Sequence, residues 1–169
     1  MSATLQRDQA SQLAKTDPKK ALEKARQVSE PWFRAQALSW VARFTDGDPI
    51  AIAVQAAKAA SECDDDYKRS AVRAWEVAAL AERDLLPQAG KALKAAVKLA
   101  KNVQPLSSRS EALFILMQAA VSIGRDEAVA VFEDLKSACP EGGHWRCKRA
   151  VRDAEKMLTG ELAARPFYW

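Results

Sequence analysis

The chain has 169 residues, a formal net charge of +4 and an apolar share of 49%, with 28% charged. This suits one folded domain with its own core and excludes a disordered chain. Only six glycines and 7% aromatics stand beside many alanines, which favours helices over strands because alanine costs least in a helix.

The first ten residues, MSATLQRDQA, lack the basic start and apolar run of a secretory signal. No apolar stretch approaches the roughly 20 residues needed to span a bilayer. Three cysteines are too few, and odd in number, for a disulfide framework. The expectation is a cytoplasmic, reduced protein with no membrane contact.

A helix is expected over residues 3–14, followed by two alternating series. The first series, A, occupies about 18–29, 49–62, 87–102 and 125–138. Asp17-Pro18 and Asp48-Pro49 each set a capping carboxylate before a proline suited to the first helical position. Leu86-Pro87 repeats the proline, and Gly124-Arg125-Asp126 holds the same place again. The apolar faces read Ala21, Leu22, Ala25, Val28 in the first A helix and Ala128, Val129, Phe132, Leu135 in the last.

The second series, B, occupies about 31–44, 66–82, 108–122 and 144–158. Pro31 suits a first helical position, and Asp64 to Asp66 put negative charge where the helix dipole favours it. Ser108 and Glu111 fit an S-x-x-E capping box. Aligning Trp32, Tyr67, Ser107 and Trp145 brings Ala37, Val72, Ala112 and Ala150 into one column, and Trp40, Trp75 and Ile115 into another.

The predicted architecture is all-α: a right-handed α-α superhelix of about four helical hairpins with an extra N-terminal helix. Its hairpins span about 17–44, 48–83, 86–123 and 124–159, within one domain that ends in a tail over 160–169. Repeats of this size built from two helices stack because no single hairpin can bury its apolar face alone.

The B-helix starts carry a shared pattern: Glu30-Pro-Trp-Phe-Arg34-Ala-Gln-Ala37 and Asp65-Asp-Tyr-Lys-Arg69-Ser-Ala-Val72. Pro105-Leu-Ser-Ser-Arg109-Ser-Glu-Ala112 keeps the arginine without the acid. This resembles the turn signature of HEAT-like repeats. Tetratricopeptide repeats are the competitor, but the spacing is uneven and their tryptophan–leucine–glycine–tyrosine pattern is missing. Either resemblance implies a scaffold that binds other proteins. The recurring arginines are expected to tie neighbouring repeats together.

Candidate contact residues follow. Trp32, Tyr67 and Trp145 sit at hairpin turns, where they fit either half-exposed packing or interface anchors. Lys91, Lys94, Lys98 and Lys101 line one face of the third A helix. Arg146, Arg149, Arg152 and Lys156 form a second stripe, interrupted by Asp153 and Glu155. Each stripe reads either as a solvated face or as an anion-binding surface for an acidic protein or a phosphate backbone. Phe167, Tyr168 and Trp169 end the chain, either folded back over the last hairpin or as an anchor docked into a partner.

Cys139, His144 and Cys147 give C-x4-H-x2-C, three ligands without the second pair that structural zinc favours. With one histidine and no G-x-S-x-G, G-x-x-x-x-G-K or H-E-x-x-H, no catalytic constellation emerges. The function expected is therefore a non-enzymatic scaffold for protein–protein interaction, without a cofactor. Nucleic-acid or other polyanion binding through the basic stripes is the alternative.

Overall fold

The structure, a computed structural model, describes residues 1–168. Among these the chain is all-helical, with no strand. The helices are α1 (Ala3–Ala14), α2 (Pro18–Arg26), α3 (Pro31–Phe44), α4 (Pro49–Ser61), α5 (Asp66–Ala71), α6 (Arg73–Glu82), α7 (Leu86–Ala100), α8 (Leu106–Val121), α9 (Arg125–Ser137) and α10 (Trp145–Thr159). Val72 interrupts the expected 66–82 helix while keeping helical angles (φ −64°, ψ −21°), so α5 and α6 follow one another almost without a break.

Several starts follow the chemistry of their caps. The Asp17 carboxylate accepts from the Lys20 amide, Asp48 from the Ile50 and Ala51 amides, and Asp65 from the Lys68 amide. Each oxygen satisfies an amide that has no partner within its helix. The Ser108–Glu111 capping box does not form. Helix α8 begins two residues earlier, at Leu106, and the Ser108 amide donates to the Pro105 carbonyl at 3.0 Å. Ser108 therefore lies inside the first turn, where its side chain cannot cap.

Consecutive helices pack most extensively as α1–α2, α3–α4, α6–α7 and α8–α9. Helices α3, α6, α8 and α10 also pack each against the next. Alanine supplies much of the surface these helices share. Ala71, Ala74, Ala96, Ala112, Ala119 and Ala120 are all fully buried, and small side chains let helix axes approach towards the short end of the usual 8–10 Å. Larger side chains fill the centre, with Leu113, Leu116, Met117 and Leu135 buried.

The core consists of two apolar clusters, one over α1–α4 and one mainly over α5–α10. Trp32 and Trp75 pack against both. Their rings meet edge to face at 5.8 Å, a geometry that the aromatic quadrupole favours. The join between the clusters is thus an aromatic contact between α3 and α6.

Three arginines of the aligned column make the same bond. Arg34 donates to the Val28 carbonyl at 3.2 Å, Arg69 to Cys63 at 2.8 Å and Arg109 to Val103 at 3.0 Å. In each case the acceptor lies six residues upstream, at the buried end of the preceding turn. Of these three, only Arg34 makes the expected tie to a neighbouring repeat, through Glu62. Arg69 pairs within its own turn, with Asp66. The common role is closing a turn: the guanidinium supplies carbonyls that the helix no longer satisfies.

Candidate binding surfaces

Helices α7 and α9 leave between them a groove of about 510 Å³. Its floor is apolar, built from Gly90, Leu93, Val97 and Val131. Lys91, Lys94, Lys98 and Lys101 stand along the α7 rim, all exposed, while Glu127 and Asp134 stand on the α9 side. Lys101 crosses the gap to Asp134 at 2.8 Å. Among the described residues Lys91, Lys94 and Lys98 have no ion-pair partner, so their positive charge faces solvent beside the apolar floor. Gly90 was not singled out by sequence reasoning. A Cβ added there would meet nothing within 4 Å, so the glycine leaves open space at the groove. A lone glycine inside a helical pattern is the signal that marked it.

The second basic stripe is more compensated. Arg146 approaches Glu111 at 3.7 Å, and Arg152 holds Asp153 at 2.9 Å. The guanidiniums of Arg146 and Arg149 lie 5.6 and 5.1 Å from the centre of the Trp145 ring. Trp145 is 59% exposed, so ring and cations form a surface cluster on the first two turns of α10. Lysine rim and arginine cluster sit on different helices, and acids break the second.

The turn aromatics divide. Trp32 and Tyr67 stack at 6.4 Å with nearly parallel rings and pack on the core. Burial, aided by nearby Glu111 and Asp65, pushes the Tyr67 phenol above its ordinary pKa. Trp145 alone of the three is an exposed aromatic surface.

The tail departs from expectation in direction. Rather than covering the last hairpin, it runs back across α8 and α6 to α3. The Arg165 amide donates to Gln118 Oε1 at 3.2 Å, and Trp75 Nε1 donates to the Phe167 carbonyl at 3.1 Å. The Tyr168 hydroxyl donates to the Trp75 carbonyl. Phe167 meets Trp75 edge to face at 5.2 Å, and Tyr168 meets Trp40 likewise at 5.0 Å. Trp169 lies outside the described residues.

Arg43, which sequence reasoning passed over, organises this end. Its guanidinium forks onto Glu82 at 2.6 and 2.9 Å and lies 3.9 Å from the centre of the Tyr168 ring. Burial holds the Tyr168 phenol well above its usual pKa, opposed by that same cation. The signal for this site was the repeated Trp40/Trp75 column, whose placement within helices reads as core.

His144 and Cys147 have structural partners. His144 caps α10, its Nδ1 accepting from the Arg146 amide at 3.2 Å. Gly143 closes the preceding turn with its amide on the Pro140 carbonyl at 2.9 Å. Cys147 is buried, its thiol 3.6 Å from the Leu106 carbonyl. Burial, then the neighbouring Cys147 thiol, pushes Cys139 up to about 12. All three cysteines are free, and no metal-ligating group of three His, Cys, Asp or Glu occurs among the described residues. No helix among them is long and apolar enough to cross a membrane.

Compared with protein-family models, curated proteins and solved structures, the chain matches none.

Proposed function

We propose that the chain is a non-enzymatic helical-repeat scaffold, a HEAT-like right-handed superhelix of about four hairpins, that binds another protein through the α7–α9 groove. The recurring turn bond of Arg34, Arg69 and Arg109 supports the repeat reading, as does the succession of contacts from α3 through α6 and α8 to α10. The observation that carries the binding reading is the groove itself: an apolar floor beside three lysines without counter-ions among the described residues. An apolar floor rewards desolvation, and a cationic rim sets register and favours acidic partners. The fitting ligand is an amphipathic helix with acidic residues along one flank.

Binding of a designed leucine–glutamate helical peptide, compared with random single-stranded DNA at two salt concentrations, tests this. The peptide should bind, and Gly90→Trp should block it by filling the floor without changing charge. Peptide binding that survives Gly90→Trp would exclude the groove. DNA binding with a steep salt slope, and none for the peptide, would favour a polyanion partner instead.

A further inference from the structure

The path of the tail raises a question separate from the lysine-rimmed groove. A cap for the end of a helical stack would cover the last helix. Here residues 165–168 leave α10 and make their hydrogen bonds to partners 47, 92 and 93 positions away, on α8 and α6. The contacts are those of a bound peptide: two adjacent aromatic rings, each edge-on to a tryptophan, and polar bonds that fix the backbone. The connection is short: Gly160 takes left-handed angles (φ +81°) and ends α10, the Leu162 amide donates to the Lys156 carbonyl at 3.1 Å, and Glu161 to Ala163 are exposed.

The cleft is also wider than its occupant. On one side of the tail an open space of about 430 Å³ reaches Ala78, Glu82 and Val121. On the other, about 700 Å³ lies between α8 and α10, reaching Phe114, Ile115 and Met157. Gln118 and Arg165 border both spaces. Both spaces open to solvent, so the cleft continues beyond the tail on either side.

We propose that the face of α3, α6 and α8 is a receptor for an extended segment with two consecutive aromatic residues, supplied by a partner protein. The chain's own 165–168 segment occupies it as a tethered competitor. Trp75 and Trp40 take the two rings, Gln118 and Trp75 fix the backbone, and Arg43 lies against the second ring. A tether this short holds the tail at an effective concentration on the order of millimolar, so a partner segment binds only when it out-competes that local supply or when the tail is held elsewhere.

The test uses the full chain and a labelled peptide of residues 163–169. The chain carrying F167A and Y168A should bind this peptide at least tenfold more tightly than the unsubstituted chain, whose own tail competes. A peptide in which both aromatic residues are alanine should not bind either chain. Equal binding by the two chains would overturn the proposal, as would no binding by a variant that keeps its helical circular dichroism. A variant that unfolds would show the tail to be core rather than ligand, and would overturn it too. So would a chain that forms dimers by trading tails while leaving the peptide free.

Discussion

The Arg109 guanidinium donates to the Val103 carbonyl at 3.0 Å, closing the turn between α7 and α8 without an acidic partner among its described bonds. Arg34 and Arg69 make the same bond with a carboxylate added. The turn bond, rather than the ion pair, is what the three share. Arg109→Ala should therefore cost about 1.5–3 kcal/mol, the range for a hydrogen bond that involves a charged group. Urea melts of R109A and of E62A, which removes only the acid facing Arg34, measure the two contributions. E62A should cost less than about 1 kcal/mol because its carboxylate is largely exposed.

Gly90 occupies the middle of α7 with open space where a Cβ would stand. Gly90→Ala should stabilise the chain by about 0.5–1 kcal/mol, through lower backbone entropy of the unfolded state and better helix propensity. Thermal unfolding reads this directly. If α7 also serves as a binding wall, the same substitution should weaken the designed amphipathic peptide while raising the melting temperature.

Glu76 is buried on α6, held by a fork of Arg73 at 2.8 and 3.1 Å. Burial raises its pKa above the ordinary glutamate value despite that partner. The folded chain therefore binds a proton more readily than the unfolded one, so Glu76's contribution to stability falls as pH rises through the window above the unfolded value. A glutamine in its place would be neutral throughout. Relative to the parent, E76Q should gain stability between pH 4 and pH 7 in paired denaturant melts; a constant difference would contradict the assignment.

Cys139, pushed up to about 12, holds almost no thiolate at neutral pH, and burial also raises Cys63. Reaction with iodoacetamide at pH 8 should be slower than for a free thiol by on the order of a hundredfold or more at Cys139, since the thiolate is the nucleophile. All three cysteines should react at ordinary rates in denaturant. Mass spectrometry after timed labelling separates the sites.

Local chemistry in the chain placed most helix starts, though not that of α8, which opens at Leu106 without the Ser108 cap. Asp17, Asp48 and Asp65 are capping carboxylates whatever surrounds them, and proline at Pro18, Pro31 and Pro49 opens a helix for covalent reasons. The lysine row on α7 was equally legible, since a 3-4-3 spacing places four side chains on one face of any helix. The groove beside that row was not, because it needs α9 to stand beside α7, a placement that no local pattern in either helix specifies.

Tertiary structure alone decided the tail's destination. Pro-Phe-Tyr announces apolar surface to be buried, but burial is non-directional, and any exposed apolar face would satisfy it. Trp75 and Trp40 settle the choice by offering two rings and an indole donor at the spacing of two adjacent residues, which the packing of α3 against α6 creates.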